Sequence, residues 1–190
     1  MTSATVERFY GFLALAAMAG LVVLAVLRIA AARSDGARTA YGALHDAIAP
    51  HALGLAWVVA ALATAGSLYF SEIAGFEPCT LCWYQRIAMY PLVVVLGVGL
   101  RGRDGSAVLA SRALALLGAI VAGYHVALEW IPALDGGACD PTNPCTLVWF
   151  RTFGFISLPT LALTAFVLIL TLLAFRPTRD GLDDRPGVAT

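Results

Sequence analysis

Two cysteines separated by two residues, Cys79 and Cys82, stand at the start of a long apolar stretch of the chain. On a helical turn this spacing places both thiols on one face, close enough to form a disulfide. Such a disulfide closes a very small ring and adds little stability, which favours a pair that opens and closes. Pro78 suits the first turn of a helix, whose positive end favours the reactive thiolate. We interpret this stretch as a redox centre.

Arg86 follows Cys82 by four residues, so its positive charge is expected on the same helical face. A charge inside an apolar run is usually functional, and this one would stabilise a Cys82 thiolate. The alternative is that the side chain snorkels to the lipid headgroups.

A second pair, Cys139 and Cys145, lies in a loop rich in Gly, Pro and Asp. Loops of this kind allow another protein to reach a sulfur atom, and two dithiol pairs on one side of a membrane suit a relay of thiol–disulfide exchange. Two alternatives stay open: static disulfides in a structural membrane protein, and a four-cysteine zinc site, because Cys-x-x-Cys is also a ligand spacing.

The composition excludes several classes of protein. The chain has 190 residues, is 60% hydrophobic and has no net charge, with 12 basic and 12 acidic residues. It is too apolar for a soluble domain of this length, and it lacks the basic stripe of a nucleic-acid-binding protein. An integral membrane protein is therefore expected.

Apolar stretches predict an all-α protein with five transmembrane helices. They cover residues 9–27, 52–71, 79–100, 113–128 and 152–175. The first is long and follows a start that is not basic, which favours a retained helix (about residues 9–30) over a cleaved signal peptide. We expect three parts: this helix with a solvated cytoplasmic loop (1–51), a region of four further transmembrane helices (52–175), and a disordered cytoplasmic tail (176–190).

The arginines predict the orientation. Residues 28–51, 101–112 and 176–190 contain nine of the twelve arginines, and these segments are expected in the cytoplasm. Both cysteine pairs would then face the extracytoplasmic side, where disulfides persist.

Four motifs resemble the DsbB/BdbC family, bacterial thiol:quinone membrane oxidoreductases that drive disulfide formation. They are Gly-Ser-Leu-Tyr-Phe-Ser-Glu-Ile (66–73), Pro-Cys-Thr-Leu-Cys-Trp-Tyr-Gln-Arg-Ile (78–87), Met-Tyr-Pro-Leu (89–92) and Gly-Phe-Ile-Ser-Leu-Pro (154–159). The resemblance covers about residues 52–175 and is closest to the BdbC branch, whose second pair is Cys-x5-Cys, as in Cys139 and Cys145. The first helix departs from the family's four-helix plan.

The resemblance implies a bacterial inner-membrane enzyme that uses ubiquinone or menaquinone and a DsbA/BdbD-like thioredoxin-fold partner. Cys139 would be attacked by the partner's thiolate, with Cys145 as its disulfide mate. Cys79 would exchange with that pair, Cys82 would face the quinone, and Arg86 would be the cation of the quinone site. The direction of electron flow depends on relative potentials rather than on spacing.

His125 and Glu129 lie four residues apart, on one face near the outer end of the fourth span. Because reduction of a quinone takes up two protons, this pair is a candidate proton relay beside the quinone. In the alternative, Glu129 lies at the headgroups and His125 is a hydrogen-bonded residue of the bundle.

Overall fold

A computed structural model describes residues 3–102 and 105–176. These residues form six α-helices and no β-strand, which confirms the all-α expectation: α1 (Ser3–Ala31), α2 (Asp35–Ile48), α3 (Ala52–Leu68), α4 (Thr80–Arg101), α5 (Gly105–Trp130) and α6 (Leu158–Ala174). A π-helical turn, Tyr69–Ile73, continues α3, and a 3₁₀ turn, Pro132–Leu134, follows α5. The tail predicted to be disordered, apart from Arg176, lies outside the described residues.

Helices α3 to α6 form a four-helix bundle in which each helix packs on the next and α6 returns to α3. Leu92, Leu96, Phe166 and Ile169 are fully buried in its core. Helices α5 and α6 approach closely at Gly118, where an added Cβ atom would lie 2.2 Å from the Phe166 ring. Small residues allow this close approach between membrane helices.

Four helices are long and apolar enough to cross a membrane: α1, α3 with its π-helical turn, α4 and α5. Helix α6 is equally apolar but has only 17 residues. The described structure is therefore that of an all-α membrane protein, with a four-helix bundle and one additional N-terminal helix. That helix, α1, packs on α6 and on α2.

The prediction of a solvated loop between the first two spans is wrong, because residues 35–48 form α2. The half-buried residues Tyr41, Leu44 and Ile48 recur at helical spacing on one face of α2. Tyr41 packs near Phe175, with ring centroids 6.4 Å apart. Asp35, Arg38 and Asp46 belong to the opposite, exposed face of this amphipathic helix.

The predicted start of the fourth span is too late. Helix α5 begins at Gly105, so Arg112 lies inside a helix and not in the preceding turn. Its guanidinium donates a hydrogen bond to the carbonyl of Leu173, at 2.6 Å. A charge near the end of an apolar helix is tolerated here because it satisfies a carbonyl at the end of α6.

The predicted start of the fifth span is too early. Helix α6 begins at Leu158, with Pro159 in its first turn, where proline is favoured. The residues before it turn back on themselves through an antiparallel bridge between Thr152 and Ile156. Phe153 lies at the turn with a φ of 56°, in the left-handed region that is uncommon for a residue with a side chain.

Candidate active site

The first cysteine pair lies where α4 begins. Cys79 caps the helix, and its sulfur accepts a hydrogen bond from the backbone N–H of Cys82, at 3.4 Å. The two sulfur atoms are 2.9 Å apart and both are free thiols. The expected position at a helix N-terminus is therefore present, although Pro78 stands one residue before the cap rather than in the first turn.

The second pair, Cys139 and Cys145, is joined by a disulfide in the loop between α5 and α6. Both residues are buried, in one apolar cluster with Cys79. Asn143, from the same loop, donates a hydrogen bond to the carbonyl of Pro78 at 3.2 Å. The loop expected to leave its sulfur atoms accessible instead packs them against the first pair. The two pairs thus share one end of the bundle.

His125 connects this loop to α4. Its Nε2 atom lies 3.0 Å from the carbonyl oxygen of Cys145 and 3.8 Å from the sulfur of Cys79, and its Nδ1 atom lies 3.0 Å from Nε2 of Gln85. A carbonyl can only accept a hydrogen bond, so Nε2 carries the proton and Nδ1 accepts from the Gln85 amide.

Glu129 lies one helical turn from His125, and both side chains are buried within the protein. Its carboxylate accepts a hydrogen bond from the hydroxyl of Ser157, at 2.5 Å, while Arg151 donates to the Glu129 backbone carbonyl. The Glu129 side chain therefore packs inside the protein, against Ser157, and does not extend away from it. His125 and Glu129 line a crevice that also contacts Cys79 and Cys82. Their function as a proton relay stays a prediction.

A larger cavity of about 260 Å³ lies on the other side of the first pair. Cys82, Gln85 and Arg86 of α4 form one wall, and apolar residues of α3 and α6 form the flanks. Residues of α1 also line it. An apolar cavity with a few polar groups at one end is a common form of binding site for a small molecule.

Arg86 lies at this cavity in a half-buried position. One guanidinium nitrogen donates a hydrogen bond to the carbonyl of Ser67 at 3.2 Å, and the guanidinium carbon lies 5.2 Å from the Trp83 ring centroid. The contact with α3 holds the charge against the protein, on the same cavity as Cys82. This geometry favours a binding function over snorkelling.

Two further residues of the site, Trp149 and Gln85, were not predicted from the sequence. The Trp149 side chain lines both the cavity and the crevice, and its ring stacks on that of Phe76 with centroids 4.8 Å apart. An aromatic residue near a membrane span resembles an interface anchor, and no local pattern distinguishes the two functions. Gln85 had a clearer signal, because a buried polar residue one helical turn after Cys82 requires a partner.

The surroundings favour a thiolate at Cys79, which precedes the first residue of the α4 span. A hydrogen bond from the Cys82 thiol, and then the nearby His125, lower the pKa of the Cys79 thiol, against the opposing effect of burial. The start of the helix acts in the same direction. Cys79 is therefore the sulfur of this pair that more readily carries the thiolate of a thiol–disulfide exchange, either as the attacking or as the leaving group.

The alternative of a four-cysteine zinc site is not what the described residues form, because Cys139 and Cys145 are bonded to each other. The sulfur atoms of Cys79 and Cys82 and a ring nitrogen of His125 nevertheless lie within 4.8 Å of one another. Three ligands at this distance are chemically compatible with a metal ion.

The chain is similar in sequence to proteins of disulfide bond formation. The family model for "Disulfide bond formation protein DsbB" matches residues 49–176. A "Probable disulfide formation protein C" of Halalkalibacterium halodurans is 47% identical over 114 residues, which cover 60% of this chain and 83% of that protein. The "Disulfide bond formation protein C" of Bacillus subtilis is 45% identical over 115 residues, with the same coverage. No solved structure matches significantly.

The family match covers α3 to α6 and contains both cysteine pairs, whereas α1 and α2 precede it. The resemblance seen in the sequence motifs is thus confirmed, and the protein C relatives agree with the expected branch. These relatives support an oxidoreductase that acts in disulfide formation in a membrane. The chain belongs to the DsbB family of disulfide bond formation proteins.

Proposed function

We propose that this protein oxidises an extracytoplasmic thioredoxin-fold thiol oxidase and passes the electrons to a membrane quinone. The observation that carries the proposal is the position of the first cysteine pair between two features. Cys79 packs against the Cys139–Cys145 disulfide, while Cys82 lines the apolar cavity together with Arg86. One sulfur thus meets the other pair, and its neighbour meets a space suited to a lipid-soluble acceptor.

Each step conserves electrons. The two thiols of the reduced partner are oxidised to a disulfide, and the Cys139–Cys145 disulfide is reduced to two thiols. Those thiols then reduce a Cys79–Cys82 disulfide and become a disulfide again. Each exchange proceeds by attack of a thiolate on a disulfide sulfur, through a mixed disulfide.

The last step returns Cys79 and Cys82 to a disulfide, with the electron pair and the two thiol protons leaving to the acceptor. When bound, a quinone supplies a two-electron, two-proton acceptor. Arg86 would stabilise negative charge that develops near Cys82. His125 and Glu129, which line the crevice beside the pair, would take up the thiol protons as Cys79 and Cys82 are oxidised and pass them on toward the acceptor.

The residues of the cavity fit this acceptor. Its lining is mostly apolar, which suits a prenylated ring, and Arg86 and Gln85 provide hydrogen-bond donors at the end near Cys82. The chemistry does not distinguish ubiquinone from menaquinone.

The proposed orientation places both pairs on the extracytoplasmic side of a bacterial inner membrane. It is supported by two facts: the pairs share one end of the bundle, and Arg101, Arg112 and Arg176 lie at helix ends opposite to them. Positive residues favour the cytoplasmic side.

The test is anaerobic quinone absorbance, measured with purified protein and a reduced thioredoxin-fold partner. Cys82→Ser serves as the comparison. We expect quinone loss with the wild-type protein and none with the variant. Electron transfer that continues in Cys82→Ser would contradict the proposal.

A static, metal-binding membrane protein is the second candidate, because Cys79, Cys82 and His125 cluster at ligand distance. Metal analysis of the purified protein distinguishes the two functions. Stoichiometric zinc that blocks alkylation of Cys79 and Cys82, with no turnover of quinone, would favour this candidate.

A further inference from the structure

The cavity beside Cys82 has one wall that comes from outside the family match. Helix α1 precedes residue 49, where the match begins. Even so, Tyr10, Leu13, Ala14 and Ala17 of α1 all line the cavity. Helix α4 forms the wall that contains Cys82, α3 and α6 form the flanks, and α1 lies across them.

Several contacts hold α1 in this place. The hydroxyl of Tyr10 donates a hydrogen bond to the carbonyl of Leu62 on α3, at 3.1 Å. The Tyr10 ring lies directly on Gly66, where an added Cβ atom would be 2.6 Å from it. On the other flank, the rings of Phe12 and Phe153 have centroids 5.1 Å apart, edge to face. Helix α1 is therefore fastened to the bundle on both sides of the cavity.

The side chains that α1 presents to the cavity leave it open. Ala14 and Ala17 are small and lie three residues apart on one face of the helix. Because neither fills the space in front of it, the volume extends from Cys82 to the surface of α1. Without α1, this groove between α3 and α6 would face lipid directly.

We propose that α1 is a structural part of the quinone site: it forms the lipid-side wall that contacts the prenyl tail and so contributes to quinone affinity. This inference rests on the proposed function. The polar end of the cavity, at Cys82 and Arg86, receives the redox-active ring, while the apolar α1 wall receives the part of the molecule that carries no hydrogen-bonding group.

The first test locates bound quinone without turnover. A quinone that carries a photoreactive azide at the end of its prenyl tail, and not on its ring, is photolysed with the oxidised full-length protein in detergent. Trypsin then releases residues 9–28 as one peptide, because Arg8 and Arg28 flank it and no basic residue lies between them. We expect this peptide to be labelled, and an excess of unreactive decyl-quinone to abolish the labelling. Label confined to peptides of α3, α4 and α6 would overturn the inference.

The second test compares two alanines of α1. Ala17→Leu places a larger side chain in the cavity, whereas Ala16→Leu changes a neighbouring exposed position that does not line it. We expect Ala17→Leu to weaken quinone binding about tenfold, equivalent to about 1.4 kcal/mol, and to raise the KM for quinone accordingly. Ala16→Leu should behave as wild type. Equal binding by the two variants would contradict a wall formed by α1.

The proposed reduction of quinone and the inference that α1 contacts the quinone can fail separately. If the wild-type protein reduces quinone but neither test implicates α1, only the inference fails. If the wild-type protein reduces no quinone, the proposed function fails, and labelling of the peptide still decides whether α1 contacts the ligand. Should Ala17→Leu prove too unstable to assay, Leu13→Ala removes part of the same wall without adding volume, and reduced labelling of its peptide is then the expected result.

Discussion

The imidazole of His125 donates a hydrogen bond to the backbone carbonyl of Cys145, at 3.0 Å, and thereby fastens the disulfide loop to the bundle. The same ring accepts from Gln85 and lies 3.8 Å from the sulfur of Cys79. One buried side chain therefore sets the distance between the two cysteine pairs.

Replacement of His125 by alanine is expected to destabilise the oxidised protein and to slow exchange between the two pairs. The change leaves the Cys145 carbonyl and the Gln85 amide without partners, and each buried unpaired group costs about 1–3 kcal/mol. Thermal unfolding in detergent and thiol trapping after a pulse of reduced partner measure the two effects. His51→Ala, at an exposed position, is the control. If His125→Ala left both the stability and the rate of exchange unchanged, His125 would not be the residue that holds the disulfide loop to the bundle.

The low pKa of the Cys79 thiol should depend on the hydrogen bond from Cys82, its largest cause. In a background without Cys139 and Cys145, Cys82→Ser retains a hydroxyl donor and Cys82→Ala does not. Because the donor stabilises the thiolate, its removal should raise the pKa of Cys79 toward the ordinary thiol value of about 8.5. Ultraviolet absorbance of the thiolate against pH measures the midpoint.

The lowered pKa of Cys79 predicts how its thiolate depends on pH. A lowered pKa means that the Cys79 thiolate persists as the pH falls and is lost only when the pH passes below that pKa. The serine variant should therefore keep its thiolate to a lower pH than the alanine variant. Identical midpoints in the two variants would show that the Cys82 donor is not the cause.

Arg86 should affect the quinone step and leave the exchange with the partner unchanged. Arg86→Met removes the charge from the cavity, and we expect the KM for quinone to rise about tenfold or more, because a hydrogen bond to a charged group is worth about 1.5–3 kcal/mol. Arg86→Lys keeps the charge but loses the planar fork and should show a smaller rise. Stopped-flow measurement with varied quinone gives the KM, and the exposed Arg101→Met is the control. A slower reaction with the partner and an unchanged KM would refute this assignment.

The crossing of α5 and α6 should tolerate no side chain at Gly118. Gly118→Ala places a Cβ atom 2.2 Å from the Phe166 ring, and overpacking of this kind costs about 1–3 kcal/mol. Gly123 lies on the same helix, and a Cβ atom there would meet nothing within 4 Å, so Gly123→Ala should be neutral or slightly stabilising. Melting temperatures in one detergent compare the two. A stable Gly118→Ala protein would mean that the helices can separate at this crossing.

The local parts of the site could be predicted from the sequence. Cys79, Cys82 and Arg86 lie on consecutive turns of one helix, so their spacing alone predicts a shared surface, and the structure places Cys82 and Arg86 on one cavity. His125 and Glu129 were recognised by the same helical spacing, although only the fold shows that both are buried.

The remaining features depend on contacts between distant segments. The hydrogen bond from Gln85 to His125 joins residues 40 positions apart, and that from Tyr10 to Leu62 joins residues 52 positions apart. Helical periodicity within one segment contains no information about which other segment it meets. The covered cavity and the burial of the second pair could therefore not be predicted, and α2 was missed because its charges were interpreted without regard to their spacing.

Helix α6 also has a consequence for the surrounding bilayer. Its 17 residues span about 25 Å at 1.5 Å per residue, less than the roughly 30 Å thickness of the hydrocarbon core. The non-helical backbone that precedes it is thus drawn toward a depth where water cannot satisfy its polar groups. Thr152 and Ile156 bond to each other there, and Gly11 of α1 lies against Thr152. The 29-residue α1, which packs on α6, thus covers one side of its short neighbour, where a mismatch with the bilayer would otherwise be exposed to lipid.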